Sequence, residues 1–444
     1  MENGSIKVRS TGFSGLHPES QMKSEGISPL VAVIITVYNK EKYLRDSIES
    51  VLRQRTDFPF VVLLSEDCGT DNCREICREY AETYTPSRTP SHKNPIVIDI
   101  SPDRNLGLVA NCYHCIEHAL SLGVEFISQL DCDDVMADPY FLQGQIDALR
   151  RMGDCQAVYS DFFLIGENVP LTEAYKIAHS FNAHKKAGIC SSAHHRDCCE
   201  NEYLVMSDAA AVSHLDSYGL LTSNNPMVAG AVTYRAENLG DFMKFYMNDE
   251  EYVKSLKTQD LPLWLFLSLY GNFAYRNRKC IGYRDLETSI SRSPDVLKME
   301  AFQRASMEVR LDFLKLFENK EFTDRLSEKG IDLPSFAVRC SADACGATYG
   351  SHTTSERKRK NAQGFSQSTE VNRLKRKITT LYYRKMLRHY AKLSPERYPQ
   401  FALNTLKKSP GLLISSDFLR SLGVFAKSCL MINLSDKSQK SNRS

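Results

Sequence analysis

From Val31 onward, short apolar runs alternate with amphipathic stretches, a pattern that predicts strands alternating with helices. Val31-Ala-Val-Ile-Ile-Thr-Val-Tyr38 is a continuous, β-branched run, as expected of a strand covered on both faces within a parallel sheet. Leu44, Ile48, Val51 and Leu52 then recur at helical spacing. Phe58 to Leu64, Ile96 to Ile100 and Val124 to Leu130 read as three further strands, with helices over Thr70 to Tyr84 and Leu108 to Leu122 between them. Such alternation implies βαβ crossovers and a mainly parallel α/β sheet. Residues 1–28 are polar, lack a period and read as a loose arm.

Open α/β sheets bind ligands beyond the carboxyl ends of their strands. Here those ends carry Thr36, Tyr38 and Asn39; Ser65, Glu66 and Asp67; Asp103 to Gly107; and Asp131, Asp133 and Asp134. Neither GxGxxG nor GxxxxGK[ST] occurs at a strand-to-helix turn, so glycine-rich phosphate cradles are excluded. Carboxylates repel a diphosphate unless a divalent cation lies between them, and oxygen-seeking Mg²⁺ or Mn²⁺ suits Asp131 and Asp133. The same cluster also reads as a turn that caps the next helix, with Asp138-Pro139 at its start.

Across about residues 30 to 293 an ordered set of motifs resembles the family 2 glycosyltransferases of GT-A fold. Thr36-Val-Tyr-Asn39 with Tyr43-Leu44 and Ser50-Val-Leu-Arg-Gln54 is similar to the opening strand and helix. Ser65-Glu-Asp-Cys-Gly-Thr-Asp71 is similar to the nucleotide-base loop, Asn105-Leu-Gly107 with Asn111 to the third motif, and Leu130-Asp-Cys-Asp-Asp134 to the DxD element, followed by Gln145. The resemblance implies a GT-A-like domain over 29–295, with a nucleotide-binding half (29–135) and an acceptor half (136–295). It implies that Thr36 and Tyr38 line the base pocket with Glu66, Asp67 and Asn105, that Asp131 contacts ribose or a metal-bound water, and that Asp133 ligates Mn²⁺ or Mg²⁺.

Asn224 to Arg235, including Gly230, resembles the acceptor-side segment, and Lys257-Thr-Gln-Asp260-Leu-Pro-Leu-Trp264 resembles a segment whose acidic residue is the catalytic base. Asp260 takes that role, although it also suits a helix start. Gly282 to Ser291 resembles a phosphate-contacting stretch in which Leu286 stands where the family has histidine; Arg284, Ser289, Ser291 and Arg292 are left as phosphate contacts. The activity implied is a metal-dependent inverting transfer from a UDP-linked sugar to a hydroxyl of a glycan or lipid-linked saccharide, in surface polysaccharide biosynthesis. Leu286 leaves a catalytically inactive GT-A scaffold at the membrane as the alternative.

Composition changes the picture in three places. The chain of 444 residues is 42% hydrophobic and 25% charged with 14 cysteines, and its start lacks a secretory signal, so a cytoplasmic setting with reduced thiols is expected. His184, Cys190, His194, His195, Cys198 and Cys199 supply enough ligands for Zn²⁺, though not at CxxC spacing, and also read as a polar insertion. Net charge is +2, yet Glu356 to Lys408 holds 15 Lys/Arg against 3 Asp/Glu. Beyond a helical extension (296–340) and a linker (341–370), residues 371–444 are expected to be basic and mostly helical. Residues 371–393 carry Leu374, Ile378, Leu381 and Tyr382 at helical spacing, a stripe suited to peripheral docking on the inner face of the membrane. No nucleic-acid module is interleaved with these cations.

Overall fold

The computed structural model describes residues 22, 26–86, 95–183, 214–215, 217–223, 225–286, 294–331 and 367–441. In chain order the elements are β1 (Val31–Val37), α1 (Glu41–Leu52), β2 (Phe60–Glu66), α2 (Cys73–Thr83), β3 (Ile96–Asp99), α3 (Leu108–Ser121), β4 (Phe126–Asp131), β5 (Val135–Met136), α4 (Phe141–Arg151), β6 (Cys155–Ile165), α5 (Leu171–Ala183), β7 (His214–Leu215), α6 (Ser217–Thr222), β8 (Val232–Arg235), α7 (Leu239–Phe245), α8 (Glu250–Ser255), α9 (Asp260–Leu267), β9 (Asn272–Arg284), α10 (Val296–Lys315), α11 (Lys320–Glu328), α12 (Gln367–Leu393), α13 (Tyr398–Lys408) and α14 (Ser416–Ser441). They divide into two compact units. One holds Met1–Asp216 with Asn225–Leu286, the other Ser217–Asn224 with Glu287–Ser444.

The first unit is an α/β sheet in which β3, β2, β1 and β4 run side by side and parallel. All four strands expected from the apolar runs are present, and their residues are almost wholly buried, as a sheet covered on both faces requires. The sheet then continues through β8, β6, β9 and β5, where parallel pairing survives only between β6 and β9. Parallel register brings the carboxyl ends of β1, β2 and β4 level. The core beneath that edge joins alternate residues of β1 and β2 to Leu44, Ile48 and Val51 of α1 and to Phe141, Leu142 and Ile146 of α4.

The second unit is helical among its described residues. α12 packs against α10, α13, α14 and α6, so the extension and the basic region, separate in the sequence reading, share one core. Leu374, Ile378 and Tyr382 are buried and Leu381 partly so. The stripe expected to meet lipid therefore faces protein. No helix among the described residues is long and apolar enough to cross a membrane.

Burial in this bundle has one titratable consequence. Lys385 is pushed down to about 7, first by burial and then by the charge of Arg310. A lysine whose folded value lies below its usual 10.5 makes the unfolded chain hold more protons between those limits, so stability rises with pH across that window. Lys385→Met should therefore melt above the wild type at and below about pH 7, with the gap closing toward pH 10.5. Paired melting curves across that range check it.

Candidate active site

The register sets Thr36 between Ser65 and Asp131, with Val37 beside Glu66. Past β2 the chain turns through Glu66 and Asp67, and both carboxylates serve the turn itself. Asp67 accepts the backbone N–H groups of Leu106 at 2.6 Å and Gly107 at 2.8 Å, while Asn105 Nδ2 donates to the Asp67 carbonyl at 2.6 Å. Gly107 sits at φ +84°, a conformation that favours glycine, which is the physical content of Asn-Leu-Gly. Glu66 Oε1 accepts the Gly69 N–H at 2.5 Å and Oε2 pairs with Arg74 Nε at 2.9 Å. Glu66 and Asp67 are 1% and 3% exposed. These two carboxylates and Asn105 thus shape the wall of the edge, and it is the Tyr38 ring, half exposed, that faces outward. Asn111, buried, clamps the same wall by donating to the Ser65 carbonyl at 2.9 Å and accepting from its hydroxyl.

The turn after β4 is held from two sides. From α1, Ser47 Oγ donates to the Asp131 carbonyl at 3.2 Å, Ser50 Oγ accepts the Met136 N–H at 2.9 Å, and Gln54 bridges the Leu142 N–H and the Asp138 carbonyl. The Ser50 to Gln54 motif is thereby a clamp on the acidic turn. From β9, Arg284 donates through Nε to the Asp133 carbonyl and through Nη1 to the carbonyls of Glu167 and Val169, each at 2.9 Å. Its Nη2 lies 3.5 Å from Asp46, and its backbone N–H reaches Asp134 at 2.8 Å. Arg284 is 3% exposed. With its donors turned inward it braces the acidic turn. Asp134 is likewise a brace rather than a helix start; that role falls to Asp138, which accepts the Tyr140 N–H at 3.1 Å.

The carboxylates of Asp131 and Asp133 remain accessible to a ligand. Asp131 is pushed up to about 7 by burial and by the negative charges of Asp133 and Asp260, opposed by Lys40. Lys40 Nζ lies 2.8 Å from Asp133 Oδ2. This lysine went unassigned in the sequence, although its place directly after Asn39, where the chain leaves β1 at the carboxyl edge, is the signal that could have found it. The donor set fits a hard divalent cation. Two neighbouring carboxylates carry more negative charge than one ammonium offsets, and Mg²⁺-type sites complete their shell with substrate phosphates and water. Among the described residues no group of three His, Cys, Asp or Glu forms a full protein cage.

Asp260 opens α9, and its charge reaches Asp131. Its Oδ1 accepts from the Thr258 hydroxyl and from the Leu261 N–H at 2.8 Å, and its Oδ2 accepts from Asn225 Nδ2 at 3.0 Å. Asn225, within the acceptor-side segment, is thus a partner of Asp260 that no spacing rule links to it. The 3-10 turn Ala229–Ala231 crosses the end of β4, where a Cβ on Gly230 would come within 3.2 Å of Leu130 Cδ1. Trp264 is fully buried, edge-on to Tyr234 and Phe273. It packs in the core of the helix that Asp260 opens. A groove of about 770 Å³ between α1 and α2 meets this site at Asn39 and Lys40. Ser289, Ser291, Arg292 and the His184 to Cys199 cluster lie outside the described residues.

Part of the chain is similar to known proteins. Residues 32–205 match the sequence model of the family described as Glycosyl transferase family 2. An uncharacterised glycosyltransferase of Methanocaldococcus jannaschii is 31% identical over 157 residues, 35% of this chain and 49% of the relative. EpsE of Bacillus subtilis, which also bears a glycosyltransferase name, is 30% identical over 139 residues, 31% of this chain and 45% of the relative. The chain thus spans about half the length of the curated relatives it matches. Among solved structures, S. aureus TarS 1–349 in complex with UDP aligns over 80% of this chain and 91% of its own, at 16% identity and a TM-score of 0.38.

Proposed function

Through residues 32–205 the chain belongs to glycosyl transferase family 2, and on that premise we propose that it transfers a sugar from a nucleoside diphosphate donor, UDP being the first to test, to a hydroxyl of a glycan or lipid-linked saccharide. The observation that supports this reading is that the charges of Asp133 and Asp260 both act on Asp131, as expected if a cation-seeking pair and a separate carboxylate share one sheet edge. The base of the donor lies against the exposed Tyr38 ring beside Thr36. The carboxylate of Asp260, aimed by Asn225 and Thr258, accepts the proton of the attacking hydroxyl. As the new C–O bond forms at the anomeric carbon, the bond to the diphosphate oxygen breaks and its electron pair leaves with the nucleotide. Asp133 and Asp131 would hold Mn²⁺ or Mg²⁺, which when bound supplies Lewis-acid neutralisation of the diphosphate charge. Attack opposite the leaving group inverts the anomeric centre. Assembly of a surface polysaccharide is the setting proposed.

Thermal shift with UDP or GDP and their sugars, with and without Mn²⁺, tests the donor assignment. Wild type should be stabilised by one base in a Mn²⁺-dependent manner, and Asp133→Ala should lose that dependence. In the same assay Lys40→Met should bind Mn²⁺ alone roughly fivefold more tightly, because a partly exposed ion pair worth up to about 1 kcal/mol no longer competes for Asp133. Indifference to every nucleotide sugar would favour the inactive scaffold instead.

A further inference from the structure

Nine large apolar side chains stand out as exposed among the described residues, and five of them, Leu403, Leu413, Leu419, Leu422 and Val424, fall within one stretch of 22 residues. Isolated exposed leucines are ordinary, but on α14 Leu419 and Leu422 stand three residues apart on one side of the helix, with Leu413 in the turn before it. The stretch comprises α13, a 3-10 turn (Pro410–Ile414) and the first half of α14, with the turn packed on both helices. Its inner side is already satisfied: Leu412 and Phe418 are buried, Ser421 bonds Tyr398 at 2.8 Å, and Phe425 stacks on Tyr398. Leu413, at 56% exposed, and Leu419, at 63%, therefore have no part in that core.

Charge decides the occupant. Between residues 398 and 429 the cations are Lys407, Lys408, Arg420 and Lys427, all exposed, and the sole acid is Asp417. Lys407 follows Leu403 by one helical turn, and Arg420 and Lys427 are interleaved with Leu419 and Leu422. A second copy would set these cations against its own, whereas an anionic bilayer offers headgroups to the cations and an acyl boundary to the leucines. We propose that the 403–427 surface is a peripheral docking face for anionic lipid. This face differs from the α12 stripe, which is buried, and it stands whatever reaction the first unit catalyses.

Co-sedimentation of the full chain with sucrose-loaded phosphatidylcholine vesicles, with and without phosphatidylglycerol, is the test. Binding should require phosphatidylglycerol and weaken with salt. The Leu413→Ser, Leu419→Ser double variant should lower the partition coefficient at least about tenfold with its melting temperature unchanged, and Arg420→Gln with Lys427→Gln should act in the same direction. Neutralising Arg376 and Arg384 on α12 should change binding less. Three results would overturn the assignment: wild-type protein that ignores both vesicle types, leucine variants that bind as wild type, or a wild-type dimer that the leucine variants convert to monomer without any vesicle dependence.

Discussion

Asp260→Asn is expected to lower sugar transfer by about 10²- to 10⁴-fold, the usual contribution of a positioned general base, while the Mn²⁺-dependent thermal shift by the donor persists. The variant separates the proton-accepting role proposed for this carboxylate from its structural one. Asp260 stands in the first turn of α9 and accepts the Leu261 N–H, so it helps to start that helix. Asparagine keeps an oxygen that can accept the same N–H, but its amide would face the Asn225 amide across the present 3.0 Å contact, at a cost of about 1 to 3 kcal/mol. That cost lowers the melting temperature and leaves the folded fraction nearly intact at assay temperature. It cannot account for a hundredfold loss of turnover. Release of nucleotide from donor, measured beside the melting curve, distinguishes the two roles: a purely structural Asp260 would show the lower melting point with near-normal turnover. Asn225→Ala, which keeps the carboxylate but removes one of the groups that aim it, should lose rate by a smaller factor and leave donor binding alone.

The sheet was legible in the amino-acid sequence in a way that the contacts of the site were not. β1 to β4 were legible because each is a short apolar run hidden on both faces, a property local to the strand. β9 was not. Asn272–Arg284 includes three arginines, two asparagines and a lysine, and it is a strand because it pairs with β5, β6 and β7, partners far away along the chain. At the site, residue type and order singled out the acidic turn and Asp260 as candidates, yet not what each polar group already holds. Glu66, Asp67 and Asn105 have the chemistry of ligand contacts and are engaged by Arg74, by Gly69 and by the backbone around Gly107. Lys40 shows the converse, since its significance arises only once parallel register brings the end of β1 level with the turn after β4.

Arg284→Ala should destabilise the first unit by at least about 1 to 3 kcal/mol, the range for leaving a buried polar group without its partner. The side chain is 3% exposed, donates to three backbone carbonyls, approaches Asp46 and lies over the Tyr43 ring at 4.9 Å. Without it those carbonyls keep no equivalent donor, and the Asp133 end of the acidic turn loses its tie to β9. Lysine should not restore the loss, because one ammonium cannot reproduce the planar fork that serves these separated acceptors. The chain's single tryptophan, Trp264, is fully buried in the same unit, so urea titration followed by its fluorescence reads that unit directly. A phosphate-binding arginine predicts a different pattern: an unaltered urea midpoint without ligand, with donor affinity alone reduced. The bracing role predicts a lowered midpoint in the ligand-free protein, followed by weaker Mn²⁺ and donor binding as a consequence, because the carboxylates that hold the cation depend on a turn that the guanidinium keeps in place.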